Sequence, residues 1–207
     1  MPTPRGLAFQ LQPPGFGLIQ ERIRADLFAL VIRAILWNQT TARARRPIVF
    51  RLLTQYPSPQ ALAKASVADL TALIYCLGLH NIRARRLISL AQAWVSSPPC
   101  AERRYGRRDY PNSGEGVKNG LLLDPNDKRE GWEIAHLPGI GPYALDGFRI
   151  FFRDQLHGFE GKGEVEPEWQ RVVPLDKDLR AYLVWRWRQD GWRWNFKTGE
   201  RVRVELA

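Results

Sequence analysis

Residues 137–152 read LPGIGPYALDGFRIFF, and this stretch indicates the fold more clearly than any other part of the chain. Two glycines flank a single isoleucine, and a proline and apolar residues at helical spacing follow them. Glycine adopts backbone conformations that are closed to residues with a Cβ, and proline is favoured at the first position of a helix. With a short helical stretch predicted over 131–136, the pattern predicts two helices joined by a tight glycine hairpin.

The start of the second helix is a candidate anion site. Main-chain N–H groups in the first turn of a helix have no partner within the helix, and the helix dipole favours negative charge there. Gly139, Ile140 and Gly141 are therefore candidate contacts for a nucleic-acid phosphate. The alternative is a hairpin whose glycines serve only for packing, because a G-x-G pattern by itself is weak evidence.

The charge of the chain favours nucleic acid as the partner. Its 207 residues carry a net charge of +10, and 25 of the 31 basic residues are arginine. Arginine binds phosphates through two parallel hydrogen bonds and stacks on bases, so this bias differs from that of a merely solvated surface. The basic run RRYGRR at 103–108 is either a nuclear-localisation signal or a loop that contacts DNA.

The composition also excludes several kinds of site. Cys76, which we expect in the core, and Cys100 are too few to ligate a four-thiolate cluster, and the three histidines show no metal-ligand spacing. No apolar run reaches transmembrane length, and we find no signal-peptide pattern. We therefore expect a soluble intracellular protein without a resident metal, nuclear if it is eukaryotic and otherwise cytoplasmic.

Apolar residues at helical spacing predict a mainly α-helical protein. Helices are predicted over 20–37, over 42–55, after Ser58, from a capping box at Ser66 to Gly78, over 82–95 with Asn81 as N-cap, and over 174–189.

The remaining segments predict a domain with a tail. Residues 1–17 are expected to form a flexible arm, 18–190 a single two-lobed domain, and 191–207 a Trp-rich extension. The extension alternates apolar and polar residues around KTGE at 197–200, which predicts a β-hairpin. Residues 96–129 and 158–169 interrupt the helical pattern and are predicted insertions, the first of them long and mobile.

Six motifs are informative as a set. They are LIQERI at 18–23, ILWNQTT at 35–41, YPSPQALA at 56–63, LGLHNIRA at 77–84, LPGIGPYALDGFRIF at 137–151 and PLDKDLRAYLVWRW at 174–187. Together they resemble the helix–hairpin–helix DNA glycosylases of the endonuclease III superfamily, and most closely the glycosylase domain of the methyl-CpG-binding-domain mismatch thymine glycosylases. The resemblance implies a two-lobed helical fold that binds double-stranded DNA as a monomer.

The resemblance implies two residues at the reaction centre. Asp176 matches the catalytic carboxylate, which stabilises positive charge on the sugar and positions the attacking water. Its alternative role is the N-cap of a helix. Tyr143 stands where bifunctional members carry the lysine that forms a Schiff base, so the resemblance implies a monofunctional enzyme without lyase activity. Tyr143 is expected near the flipped nucleotide, with a core aromatic as the alternative.

Other positions match residues that bind the base or the DNA. Gln20 matches a residue that reads a pyrimidine edge in the base pocket. Gln39 and Leu79 match residues that fill the space left by a flipped base, although Leu79 could instead make an ordinary packing contact at a helix end. Arg83 and Arg85 are candidate phosphate contacts.

The resemblance also bears on cofactors. The hairpin at 139–141 is a place where a monovalent cation could bind. No iron–sulfur cluster or other cofactor is expected. Asp146 is expected to have a structural role on the hairpin helix.

We therefore expect a base excision repair glycosylase that hydrolyses the N-glycosidic bond of thymine or uracil opposite guanine. One alternative is a glycosylase for another base, either an adenine mispair or an alkylated purine. The other is a catalytically silent, structure-specific DNA-binding protein in which Asp176 is only a helix cap.

Overall fold

The computed structural model describes residues 15–36, 42–160 and 165–204, without the side chains of 42–46. The helices are α1 (Ile19–Ile23), α2 (Leu27–Leu36), α3 (Ala42–Gln55), α4 (Pro59–Ala63), α5 (Val67–Ile74), α6 (His80–Ser96), α7 (Pro142–Phe151), α8 (Arg153–Leu156) and α9 (Lys177–Gln189). The strands β1 (Trp192–Trp194) and β2 (Arg201–Arg203) pair antiparallel, and two 3₁₀ turns cover Tyr75–Leu77 and Glu168–Arg171. No helix within these ranges combines the length and the apolar character that crossing a membrane requires.

Two clusters of buried apolar side chains form the core, and helices α2 and α7 contribute to both. The first cluster lies mainly among α2 to α7, and the second joins α1, α2, α7, α9 and β1. All ten residues of α2 are buried, which makes it the central helix. The prediction of a mainly α-helical protein is confirmed.

The helix predicted over 20–37 is in fact two helices, α1 and α2, separated by a turn. The carboxylate of Asp26 accepts a hydrogen bond from the main-chain N–H of Ala29 at 3.1 Å, so Asp26 caps α2. Apolar residues continue at helical spacing across this turn. Periodicity alone therefore could not show the interruption.

Helix α6 begins two residues before the predicted start and without the predicted cap. Leu79 precedes it in a left-handed conformation with φ of 49°, and Gly78 also has a positive φ of 68°. Asn81 therefore lies inside the first turn and is not the N-cap. The sharp turn leaves the Leu79 side chain 58% exposed.

The segment before the glycine hairpin consists of turns and not of a helix. The main-chain N–H groups of Ala135, Leu137 and Ile140 each donate to the carbonyl three residues earlier. Bonds of this spacing form consecutive tight turns. The helix predicted over 131–136 is therefore wrong, whereas the second helix of the pair, α7, is confirmed.

Residues 96–129, predicted as a mobile insertion, supply buried side chains to the first cluster. Tyr105 and Tyr110 are both buried in it. Two arginines of the basic run hold the segment together, because Arg103 donates to the Pro98 carbonyl at 2.8 Å and Arg104 to the Asp127 carbonyl at 2.9 Å. The segment is thus part of the core, which its low apolar content did not suggest.

Buried charges link this segment and α7 to the second predicted insertion. Arg149 of α7 donates to Glu168 at 2.5 Å and to the Tyr110 hydroxyl at 3.3 Å. Arg153 bridges Glu168 at 3.1 Å and the fully buried Glu133 at 3.2 Å. These ion pairs fix α7 and the adjoining α8 relative to segments that are distant in sequence.

The C-terminal extension forms the predicted β-hairpin. Trp192 is paired with Arg203 and Trp194 with Arg201 across the two strands. Trp194 is buried against Trp187 of α9, with ring centroids 6.4 Å apart. The hairpin therefore closes the second cluster.

We expect Glu168→Gln to lower the free energy of unfolding by about 3–5 kcal/mol, because it leaves the buried Arg149 without its charged partner. Glu166→Gln is the matched control, since its ion pair with Arg201 at 3.2 Å is half exposed and contributes less than about 1 kcal/mol. Urea denaturation of both variants measures the difference. Equal losses in the two variants would show that the buried network does not stabilise the fold.

Candidate active site

Tyr143 lies in the first turn of α7, where the two core clusters meet, and packs against both. Its hydroxyl accepts a hydrogen bond from the Arg33 guanidinium and a longer one, at 3.5 Å, from the Gln20 amide. Gln20 belongs to α1 and Arg33 to α2. Three helices thus bring three polar side chains together inside an apolar environment.

These three residues line a small pocket with apolar walls, completed by Leu30, Val31, Ala34, Ala144, Gly147 and Phe148. Gln20 and Arg33 are 2% and 3% exposed. The Oε1 atom of Gln20 is buried and has no hydrogen-bond donor among the described residues. A ligand that carries an N–H group could supply this missing donor.

Burial sets the protonation states in the pocket. It lowers the pKa of Arg33 to about 10, although the neighbouring Tyr143, Asp176 and Asp178 limit the decrease. Burial also raises the pKa of Tyr143 to about 12, while Arg33 opposes that increase. At neutral pH the pocket therefore contains a cationic guanidinium and a neutral phenol.

Asp176 is the N-cap of α9 and lies close enough to influence the pKa values of Arg33 and Tyr143. Its Oδ1 atom accepts from the main-chain N–H groups of Asp178 at 3.0 Å and Leu179 at 2.9 Å. Both bonds go to Oδ1, so the other carboxylate oxygen has no hydrogen-bond partner within the described part of the chain. The cap therefore orients the carboxylate through Oδ1 alone.

The chain that leads to Asp176 is held by Arg180. This arginine donates to the Pro174 carbonyl at 3.3 Å and to the Leu175 carbonyl at 3.0 Å. Its guanidinium lies 4.4 Å from the ring centroid of Phe196, which follows β1 in the C-terminal extension. The extension therefore covers the residue that fixes the main chain next to Asp176.

The two glycines of the hairpin differ in how strictly their positions require glycine. Gly139 has φ of 85°, and an added Cβ would lie 2.6 Å from the Cδ of Arg86, so both conformation and packing require glycine there. A Cβ on Gly141 would meet no atom within 4 Å, so space remains in front of α7. Ile140 is buried in the first cluster. It can therefore offer a phosphate only its main chain.

The predicted DNA contacts occupy different environments. Leu79 is exposed at its left-handed turn, and Arg85 is exposed on α6. Arg83 is 5% exposed and donates to the Leu36 carbonyl at 3.2 Å, so it supports the end of α2. Gln39 lies outside the described residues.

Asp146 has the structural surroundings that the sequence suggested. It is buried and accepts a hydrogen bond from the Tyr110 hydroxyl at 2.8 Å. Burial raises its pKa to about 6, and the charge of Asp176 acts in the same direction. Tyr110 and Arg149 oppose the increase.

Neither cysteine is bonded to the other. Cys76 and Cys100 are free thiols, and Cys76 is exposed, so its predicted place in the core is wrong. Across the part of the chain that the structure describes, no three His, Cys, Asp or Glu side chains are grouped so that they could hold a metal ion.

Sequence reasoning missed Arg33. The residue interrupts an otherwise apolar helix, LFALVIRAIL at 27–36, in which every side chain is buried. A single charge in such a run is the signal that could have found it, because an isolated buried charge is costly and is retained where it has a partner or a task.

The chain is similar to several known proteins. Residues 32–179 match the model of the HhH-GPD superfamily of base excision DNA repair proteins. The chain is 34% identical over 180 residues to the thymine-DNA glycosylase of Aeropyrum pernix, which covers 76% of this chain and 70% of that protein. It is 32% identical over 123 residues to the thymine/uracil-DNA glycosylase of Pyrobaculum aerophilum, covering 59% of this chain and 43% of that protein. The solved structure of a thermostable thymine-DNA glycosylase matches with a TM-score of 0.41 and 23% identity, over 64% of this chain and 48% of that one.

We expect the contribution of Asp146 to stability to fall as the pH rises. Its pKa in the folded protein, about 6, lies above the ordinary value of 3.8, so the folded state binds the proton more tightly. This stability is fully present below about pH 4 and is lost as the pH rises through 6, by up to about 3 kcal/mol. Urea denaturation between pH 4 and 7, with Asp146→Asn as the non-titrating reference, measures it. A difference between the two proteins that does not change with pH would contradict the assignment.

Proposed function

Since this chain belongs to the HhH-GPD superfamily of base excision DNA repair proteins, we propose that it is a monofunctional DNA glycosylase that removes thymine or uracil opposite guanine. The observation that carries the proposal is the proximity of the Asp176 carboxylate to the pocket of Gln20, Arg33 and Tyr143. The names of the two curated relatives support the choice of base.

Asp176 acts on the sugar. As the C1′–N1 bond breaks, the electron pair leaves with the base and positive charge develops on the deoxyribose. A fixed carboxylate beside C1′ stabilises this charge. Water then adds to C1′ and gives its proton to Asp176. The two N–H donors at the start of α9 fix the carboxylate before the substrate arrives.

Tyr143 limits the reaction to base release. A lyase step requires an amine that forms a Schiff base with C1′, and residues 137–152 contain no lysine. The Tyr143 phenol is neutral at physiological pH, since its pKa is raised to about 12. The product is therefore an abasic site in an intact strand.

Gln20 suits a pyrimidine with two carbonyl groups. Uracil and thymine each present an N–H group between two carbonyl oxygens, and an amide can pair with one donor and one acceptor. The buried Oε1 of Gln20 would accept from this N–H group. The other candidate bases, adenine and alkylated purines, lack this arrangement of one N–H group between two carbonyl oxygens.

The substrate is double-stranded DNA, bound by a monomer. Leu79 is exposed at a turn of α6, where an apolar side chain can enter the space that a flipped base leaves. Gln39 is proposed to fill the same space. Arg85 and the hairpin main chain at Gly139 and Gly141 contact phosphates, and the hairpin is where a monovalent cation would bind.

Neither a resident metal nor an organic cofactor takes part in the proposed reaction. A nuclear location is not part of the proposal either. The two curated relatives described above come from archaea, and Arg103 and Arg104 of the basic run have partners within the fold.

The first test uses duplexes with one G·T or G·U pair. We expect strand breaks only after alkali, and a loss of at least about 100-fold in base release for Asp176→Asn with DNA affinity unchanged. Asparagine also caps helices, so α9 should be kept. Asp178→Asn, which removes a charge two residues away, is the matched control and should remain active.

Each result of this test has a definite meaning. Equal activity of wild type and Asp176→Asn would remove Asp176 from the mechanism. Binding without release from either pair would require a panel of other bases, and release of none of them would leave the silent DNA-binding protein.

A second test concerns the support of Asp176. We expect Arg180→Lys to slow single-turnover base release about tenfold, because lysine keeps the charge but cannot hold both carbonyls and stack on Phe196. Arg186→Lys is the control, since Arg186 stacks 4.6 Å from the Trp169 ring centroid. Similar rates in the two variants would show that Arg180 does not position the carboxylate.

A further inference from the structure

Three large apolar side chains are exposed around the turn that begins α6. Leu79 lies at the turn itself, Tyr75 is the first residue of the 3₁₀ turn before it, and Ile82 lies one helical turn after it. Tyr75 is 67% exposed and Ile82 57%, so both are as accessible as Leu79. Exposed apolar side chains that lie together are typical of a surface that binds a partner. We call these three residues the α6 patch.

The aromatic ring of the α6 patch is held in place by a histidine. The ring centroid of Tyr75 lies 4.6 Å from that of the His80 imidazole, with an angle of 36° between the two planes. His80 is the first residue of α6 and follows Leu79 directly. This contact keeps the Tyr75 ring beside the turn that carries Leu79, while most of the ring's residue stays accessible. A ring packed in this way on one side can stack a second planar group on its open surface.

The α6 patch adjoins the segments that are proposed to contact DNA. The Arg83 guanidinium donates to the Leu36 carbonyl, so the beginning of α6 packs against the end of α2. Arg86 lies against the glycine hairpin, because a Cβ added to Gly139 would be 2.6 Å from its Cδ atom. The turn before α6, the hairpin and the end of α2 are therefore neighbours on the molecule.

The charge around the α6 patch suits a polyanion. Residues 75–101 contain three arginines and no acidic residue. Two of these arginines, Arg85 and Arg86, are exposed on α6 directly after the patch. Surfaces that bind unpaired nucleotides combine basic side chains, which bind the phosphates, with aromatic rings on which bases stack. The partner that fits both the charge and the ring is a base of bound DNA.

We propose that Tyr75 stacks on the guanine that is left unpaired when the pyrimidine leaves the duplex, an inference that rests on the proposed glycosylase function. An apolar side chain that enters the duplex, as proposed for Leu79, separates bases that were stacked on each other. The unpaired guanine has then lost its pairing partner and a stacking neighbour. The Tyr75 ring, beside the wedge, replaces the lost stacking and so stabilises the duplex with its base flipped out.

The test combines a change in the protein with a change in the DNA. Two duplexes each carry a tetrahydrofuran abasic analogue, which holds no base to release. The position opposite holds guanine in the first duplex and a second analogue in the other. For Tyr75→Ala we expect the dissociation constant of the guanine duplex to rise about tenfold and that of the second duplex less than about twofold. Tyr75→Phe keeps the ring and should bind both duplexes as the wild type does.

Phe159→Ala is the matched control. Phe159 is also an exposed aromatic residue beside a histidine, with its ring centroid 5.7 Å from that of His157, but it follows α8 and is not part of the α6 patch. Its loss should leave both dissociation constants unchanged. Each variant is compared with itself on the two duplexes, so a smaller folded fraction leaves the ratio unaltered.

The outcomes separate the inference from the proposed function. Equal losses for the two duplexes in Tyr75→Ala, or a loss for neither, would overturn the inference and leave the proposed function intact. A wild-type protein that releases neither thymine nor uracil opposite guanine would overturn the proposed function, and the inference with it.

Discussion

The structure depends on how a fully buried helix accommodates one charge. Helix α2 lies between the two core clusters, and all its side chains are buried, including Arg33. An arginine in such a place is stable only where polar groups meet its guanidinium. Tyr143 from α7 supplies one of these, and Gln20 from α1 contributes an amide to the same hydroxyl. The buried cation and these polar groups belong to three different helices, which therefore meet at the same point.

The opposite end of α7 is fixed by a second set of buried charges. The guanidinium groups of Arg149 and Arg153 lie 4.5 and 4.8 Å from the ring centroid of Trp132, and both arginines contact Glu168. Two segments interrupt the helical pattern of the sequence, residues 96–129 and 158–169. Glu168 belongs to the second of them, and Trp132 lies just after the first. These segments therefore stabilise the helix that carries Tyr143, so the site depends on parts of the chain that resemble loops in sequence.

Local patterns could be predicted from the sequence, and long-range contacts could not. Ser58 and Ser66 cap their helices as expected, and KTGE joins the two strands, because these features depend on neighbouring residues. The buried Tyr110 donates a hydrogen bond to Asp146, 36 residues away, and no local sequence pattern predicts this contact. The same holds for the site. Asp176, Tyr143 and Gln20 could be identified from motifs. The contact of Arg33 with Tyr143, in contrast, is seen only in the structure, where α2 packs against α7.

The two roles of Asp176 support each other. As an N-cap it accepts both main-chain hydrogen bonds on Oδ1, which orients the carboxylate, and the second oxygen is the one that the proposed mechanism assigns to the sugar. A group held in this way needs no reorganisation when charge develops, and this is the main source of electrostatic catalysis. Arg33, which donates to the Tyr143 hydroxyl, is close enough to Asp176 for the carboxylate to influence the pKa of Arg33.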